Sequence, residues 1–333
     1  MSEDIKKIRQ KIDSLDSDIL DLFNQRAHQA VLIAKEKNKS KELDNFYNPE
    51  REAQVIRRIQ ELNKGPLSNE SVLKLFREVM SACLSLEAPL KVSYLGPEGT
   101  YTQLAAKNHF GSSILSIPHL SVEEVFSSVE KRDSHYGVVP VENSTQGIVA
   151  STLDMFMKSS LKISGEIEIL INHNILSNSS SLDSIKKIYA HPQSFSQCKN
   201  WLEKNLPKCE KINSLSNAEA ALISSKEKNS GAIASSVAAD IYKLDILSEN
   251  IEDNHNNSTR FLVIGERDTE PSGNDKTSII VSTKNDSGAL YSLLEPLSKH
   301  NVSMTRIESR PSKHNNWEYI FYLDLNGHIK DNS

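Results

Sequence analysis

The chain has 333 residues, a formal net charge of -5, 38% hydrophobic and 25% charged residues. That length exceeds one average domain, and the balance is that of globular chains, which excludes disorder and membrane-spanning classes. Mild acidity leaves no electrostatic footprint for nucleic acid, and Cys83, Cys198 and Cys209 are too few and scattered for a disulfide framework or a zinc site. The acidic start Met1-Ser2-Glu3-Asp4 lacks the apolar run of an export signal, so a cytoplasmic protein with reduced thiols is expected.

Ile8, Ile12, Leu15, Ile19 and Leu22 follow steps of three and four, which predicts an amphipathic helix over about 3–39. At on the order of 50 Å it needs a partner helix along its seam. Asn48 as cap, Pro49 in the first position and Glu50 in the first turn predict a second helix stopping at Gly65-Pro66. Ser68 caps a third, with Val72, Phe76, Met80 and Cys83 as its seam, closed by Pro89. Continued by the same steps, the first seam meets Arg26 and Lys37, and the third meets Glu87. Charges on core-facing stripes are expensive unless paired or solvated, so they suggest a polar pocket in a helical bundle; frayed helix ends would show the same pattern.

Residues 90–268 read as α/β. Short apolar runs at Lys91 to Leu95, Gly137 to Val141, Ile185 to Tyr189, Gly231 to Ala234 and Phe261 to Ile264 predict strands. Helical stretches such as Ser121 to Glu130 and Asn217 to Lys228 separate them, which implies mostly parallel sheets with sites at strand carboxyl ends. Four polar motifs stand beside these runs: Gly96-Pro97-Glu98-Gly99-Thr100-Tyr101-Thr102, Glu142-Asn143-Ser144-Thr145-Gln146-Gly147, His191-Pro192-Gln193-Ser194-Phe195-Ser196-Gln197 and Asn257-Ser258-Thr259-Arg260. Backbone N–H groups in the first suit an anion, though a tight turn explains its glycines equally well. His191, before proline, reads as structural. After the polar loop 268–276, strand Thr277 to Ser282, helix Gly288 to His300 and strands Ser303 to Ser309 and Trp317 to Leu325 give a β-α-β-β order.

The first segment resembles the all-helical chorismate mutases, intertwined dimers with three helices per subunit. The resemblance implies that Arg9 and Arg51 hold the carboxylates of chorismate, with Arg26 supplied by the other subunit. Lys37 would donate to the ether oxygen, Glu52 would accept the ring hydroxyl, and Asn48 and Cys83 would complete the contacts. Glu87 stands where an amide or acid is usual, and must be protonated to donate, so burial should raise its pKa. The rearrangement needs only a compact conformer and charge stabilisation, which Arg forks and a Lys supply without metal or cofactor.

The four ordered motifs resemble prephenate dehydratases, which fold as two α/β lobes like periplasmic binding proteins. The resemblance implies Thr259 as the catalytic hydroxyl, with Gly96, Thr100, Glu142, Asn143, Ser144, Thr145, Gln197 and Arg260 around prephenate. The last segment resembles the ferredoxin-like ACT regulatory module, with Gly288, Ala289, Leu290, Glu308, Ser309 and Arg310 matching its phenylalanine-binding elements. The module needs a further helix and strand, so it is expected to be C-terminally incomplete.

The expected division is therefore 1–89 mutase, 90–268 dehydratase and 276–333 regulatory module. A solute-binding or aromatic-metabolite-sensing protein with one or both activities lost is the rival, separable by assays with chorismate and with prephenate.

Overall fold

The computed structural model describes residues 3–40, 47–283, 286–311 and 319–331. Three helices come first: α1 (Glu3–Ser40), α2 (Pro49–Leu62) and α3 (Asn69–Ser85). Their caps are those the sequence predicts. Asn48 Oδ1 accepts the N–H of Arg51 at 2.6 Å, and Ser68 Oγ accepts that of Ser71 at 3.1 Å. α1 touches α3, yet its seam stands open, with Ile8, Ile12, Leu15, Ile19 and Leu22 between 45% and 61% exposed.

The chain divides into two compact units, Met1–Tyr47 with Leu62–Glu266, and Asn48–Glu61 with Arg267–Ser333. The first unit holds two α/β lobes. Its first lobe runs β1 (Lys91–Leu95), α4 (Tyr101–Phe110), β2 (Leu115–His119), α5 (Val122–Glu130) and β3 (Tyr136–Asn143). A short β4 (Gly147–Ile148), α6 (Ala150–Phe156) and β5 (Lys162–Leu170) follow. The second lobe comprises β6 (Asn174–Ser177), β7 (Lys187–Ala190), α7 (Pro192–Gln197), α8 (Lys199–Asn205) and β8 (Glu210–Asn213). It continues through α9 (Asn217–Lys226), β9 (Ser230–Ala234), α10 (Ser236–Tyr242) and β10 (Asp245–Ser248). The chain then returns to the first lobe as β11 (Ser258–Gly265).

The sheets run in the orders β2-β1-β3-β11-β5 and β10-β6-β9-β7-β8. They are mixed, which corrects the expectation of mostly parallel sheets. β1 pairs β2 and β3 in parallel, but β11 lies antiparallel between β3 and β5. In the other sheet β6 is antiparallel to both β9 and β10. The reason is topological: a chain that leaves one sheet and re-enters it from the same side arrives running the opposite way. β2, β4, β5, β6, β8 and β10 are not among the strands that the apolar runs predict, although Lys162–Leu170 alternates in the manner of a half-buried strand.

Each lobe has its own core. Val92, Tyr94, Phe110, Val138, Phe261 and Val263 fill the first. Ile175, Ile188, Leu202 and Ile233 fill one face of the second, and Ala220, Ala221, Ala232 and Ala238 together with Leu176, Tyr189 and Leu244 fill the other. Helices lie close on these strands: a Cβ at Gly137 would come 2.8 Å from Val125 Cγ1 on α5. Two strands of backbone cross between the lobes and bond to one another, Ile171 N–H to Asn257 O and Ile251 N–H to His173 O, both at 2.8 Å.

The second unit contains α2 and a three-stranded antiparallel sheet ordered β12-β14-β13. Its elements are β12 (Lys276–Thr283), α11 (Ala289–Lys299), β13 (Met304–Pro311) and β14 (Tyr319–Asn326), the β-α-β-β order predicted. Trp317, read as the start of the last strand, lies outside the described residues. Within this unit Arg57 Nη1 donates to Ser272 O at 2.7 Å.

Candidate functional sites

The second and fourth motifs meet at the lobe crossing. Thr259 and Asn143 are register partners on β11 and β3, as are Arg260 and Glu142. The next pair is Phe261 with Pro140, so Val141 is an extra residue bulged out of the ladder. A proline in β3 fits such a break, because it has no N–H to give. The fourth motif leads into β11, the last strand of this lobe. Because β11 is antiparallel, its start lies beside the carboxyl end of β3.

Asn143 is the hub of this cluster. Its Nδ2 donates to Thr259 Oγ1 at 2.8 Å, Asn257 Oδ1 at 3.0 Å and Ser258 O at 3.2 Å. Its Oδ1 accepts the N–H groups of Thr145 and Gln146, both at 3.0 Å. Ser144 and Thr145 hydroxyls donate to Asn257 Oδ1 at 3.2 and 3.1 Å. Thr259 Oγ1 therefore accepts a hydrogen bond from Asn143, and its own O–H can donate to another acceptor. Arg260 is paired with Glu166 on β5, Nη2 to Oε2 at 2.6 Å.

Gly96 and Thr100 sit where the sequence places them, between β1 and α4. Thr100 caps α4, accepting Gln103 N–H, and its Oγ1 donates to Leu95 O at 3.1 Å. This loop also meets the second lobe. Ser235 Oγ donates to Gly99 O at 2.9 Å, and Tyr242 to Glu98 O at the same distance. Gly99 has φ +87°, and a Cβ there would be 3.2 Å from that of Ala238, so both backbone shape and closeness of approach require glycine.

In the third motif His191 caps α7, its Nδ1 accepting Gln193 N–H at 3.3 Å, which is the structural role expected. Gln197 ends α7 with its Oε1 2.8 Å from His173 Nε2. Asn257, His173 and Glu166 are the polar residues that the sequence reading left out of the site. The triplet Asn172-His173-Asn174, interrupting an apolar run, was the available signal for His173.

In the helical region, Lys37 of α1 and Glu87 just beyond α3 form an ion pair, Nζ to Oε2 at 3.6 Å. The Glu87 side chain is 9% exposed. Burial raises its pKa against the opposing charge of Lys37. Cys83 is buried one turn before it, whereas Arg9 is exposed and Arg26 half-buried on α1. Asn48, Arg51 and Glu52 open α2 in the other unit. In that unit Gly288 caps α11 at φ +82°, Ala289 and Leu290 begin the helix, and Glu308, Ser309 and Arg310 lie within β13 rather than in a turn after it. No group of three or more His, Cys, Asp or Glu suited to a metal occurs among the described residues. No helix among them is long and apolar enough to cross a membrane.

Two family models match: chorismate mutase type II over residues 8–88 and prephenate dehydratase over 92–269. A bifunctional chorismate mutase/prephenate dehydratase of Pseudomonas aeruginosa is 48% identical, covering 99% of this chain and 91% of its own. Its namesake in Stutzerimonas stutzeri is 49% identical over 99% of this chain and 92% of that one. A solved prephenate dehydratase from Arthrobacter aurescens, in complex with L-Phe, superposes with a TM-score of 0.66 at 30% identity. It covers 72% of this chain and 82% of the solved one. With both models matched in tandem, and relatives nearly half identical from end to end, this chain belongs to the bifunctional chorismate mutase/prephenate dehydratase family.

Proposed function

We propose that the two polar regions serve two successive reactions. The chain rearranges chorismate to prephenate, then decarboxylates and dehydrates prephenate to phenylpyruvate, in L-phenylalanine biosynthesis. The dehydratase assignment is carried by the Asn143–Thr259 contact, in which the threonine hydroxyl accepts from Asn143 and has its own proton to give. Prephenate loses its ring carboxylate as CO2 and its hydroxyl as water, and aromatisation drives the collapse. The enzyme must hydrogen-bond the departing hydroxyl while CO2 leaves into a less polar setting. Thr259 is the donor or proton relay at that oxygen, being too weak an acid to act alone. Gly96, Thr100, Glu142, Asn143, Ser144, Thr145 and Gln197 surround the substrate. Arg260 holds its side-chain carboxylate while shared with Glu166.

In the mutase, Arg9 and Arg51 fork onto the carboxylates, with Arg26 contributed by a second copy, and Asn48 and Cys83 complete the contacts. Lys37 stabilises charge on the ether oxygen, Glu52 accepts the ring hydroxyl, and protonated Glu87 is the second donor. The open apolar seam of α1 supports a homodimer through the helical region, since the half-exposed isoleucines and leucines from Ile8 to Leu22, roughly 21 Å of helix, need a cover. The matched spans 8–88 and 92–269 support the division 1–89, 90–268 and 276–333, although α2 groups with Arg267–Ser333 as a compact unit, and both activities are assigned to the cytoplasm. The last segment is read as an ACT module binding L-phenylalanine through Gly288, Ala289, Leu290, Glu308, Ser309 and Arg310. Its β-α-β-β order supports that reading.

Purified protein given chorismate and prephenate in separate assays, with phenylpyruvate followed in each, tests both assignments. Both substrates should yield it. A protein that binds either compound without converting it refutes the corresponding assignment.

A further inference from the structure

Gln197 is held from two sides by the segments that cross between the lobes. Asp253 N–H donates to its backbone carbonyl at 2.7 Å, and the Asp253 carboxylate accepts from Asn200 N and Trp201 N at the start of α8. Its side-chain oxygen faces His173 Nε2 at 2.8 Å. An amide oxygen only accepts, so the imidazole carries its proton on Nε2.

The ring is fixed in turn. His173 is 2% exposed, its N–H donates to Glu252 Oε2 at 2.8 Å and its carbonyl accepts from Ile251. Tyr101 stands edge-on to it, ring centroids 6.2 Å apart. Burial lowers its proton affinity, against the pulls of Gln197 and Glu252, which favours the singly protonated ring. Among the described residues, Gln197 Nε2 is then left buried with no acceptor, and the deprotonated His173 Nδ1 with no donor. A buried amide donor without a partner is destabilising, so its retention points to an acceptor that arrives with a ligand.

We propose that His173 is a positioning residue of the dehydratase, fixing Gln197 Oε1 so that the carboxamide N–H2 is presented to an oxygen of prephenate. This rests on the reading of Gln197 as a substrate-binding residue. Without His173 the carboxamide can turn over and offer an anion its oxygen instead.

Full-length variants assayed with each substrate test the idea. His173→Leu should lower kcat/KM for prephenate by about tenfold or more, while sparing turnover of chorismate. His173→Gln, whose side-chain amide donates close to where the imidazole Nε2–H did, should recover most of it. Gln197→Leu should lose at least as much as His173→Leu, and adding His173→Leu to it should cost nothing further. A 15N spectrum of the wild-type protein should show a neutral Nε2–H ring at His173. Additive losses in the double variant, no recovery with His173→Gln, or an Nδ1–H ring would overturn the proposal. Should Gln197→Leu leave prephenate turnover intact, the substrate reading of Gln197 itself fails and the proposal falls with it, an outcome distinct from additivity. The wild-type spectrum and His173→Gln keep the test decisive if His173→Leu does not fold.

Discussion

Asn143→Asp is isosteric and changes only what the side chain donates, which makes it a sharp probe of the dehydratase site. One aspartate oxygen can still accept Thr145 N–H and Gln146 N–H, each at 3.0 Å, so the loop keeps its shape. The other replaces an N–H2 that faces Asn257 Oδ1 at 3.0 Å, Ser258 O at 3.2 Å and Thr259 Oγ1 at 2.8 Å. Two of these are pure acceptors and will repel it. The third, the Thr259 hydroxyl, can relieve the conflict by turning its proton onto the carboxylate. It then no longer donates to the substrate. Loss of one donor aimed at developing charge costs about 10²–10³ in kcat, and the lost bonds cost about 2–4 kcal/mol of stability. Initial rates with prephenate should fall by that factor, while rates with chorismate, measured on the same preparation, should hold. Wild-type kcat with prephenate would refute the assigned direction of the Asn143–Thr259 bond and with it the role of Thr259.

Thr259→Ala removes the same donor directly, and phenylpyruvate formation should drop by a similar ~10²-fold with the mutase spared. Glu87 donates only while protonated, and burial raises its pKa, so mutase kcat/KM should hold at low pH and fall as pH rises through the raised value. Glu87→Gln should flatten that profile; a flat wild-type profile would remove Glu87 from the mechanism. Leu15→Asp places a charge mid-seam on α1, and sedimentation should report loss of the proposed dimer together with mutase activity. His109 has its pKa lowered to about 4 by burial, with the charge of Arg77 acting in the same direction. Its unfolded form takes up a proton near 6.5 and its folded form only near 4, so acidification through that window should destabilise the fold by up to about 3 kcal/mol. Urea titrations at several pH values should show the loss, and His109→Phe should reduce it.

The helices were legible because caps and seams are local: Asn48, Pro49 and Ser68 act within one turn, and the isoleucine spacing of α1 needs no tertiary context. Strands flanked by turns were legible for the same reason. Strand direction was not, since β11 differs from β1 in pairing partners rather than in composition. His173 and Asn257 were missed as site residues because their roles depend on partners 24 and 114 residues away. Arg260 was legible as the cation of the fourth motif, but its pairing with Glu166 depends on β11 lying beside β5.

That insertion is what makes a site here. If β11 continued the second lobe, Thr259 would stand in a different sheet from Asn143. Because the chain crosses twice, at 171–173 and near 251–257, it lays the start of β11 against the end of β3 and bonds the crossings to each other. Asn143 then meets Thr259 across 116 residues, one residue pair from a bulge in the ladder. The crossings also hold Gln197 of the second lobe through His173 and Asp253. Groups from both lobes are thus referred to one short stretch of hydrogen-bonded backbone. Changes at the crossings should accordingly alter dehydratase turnover more than equally buried changes within either core.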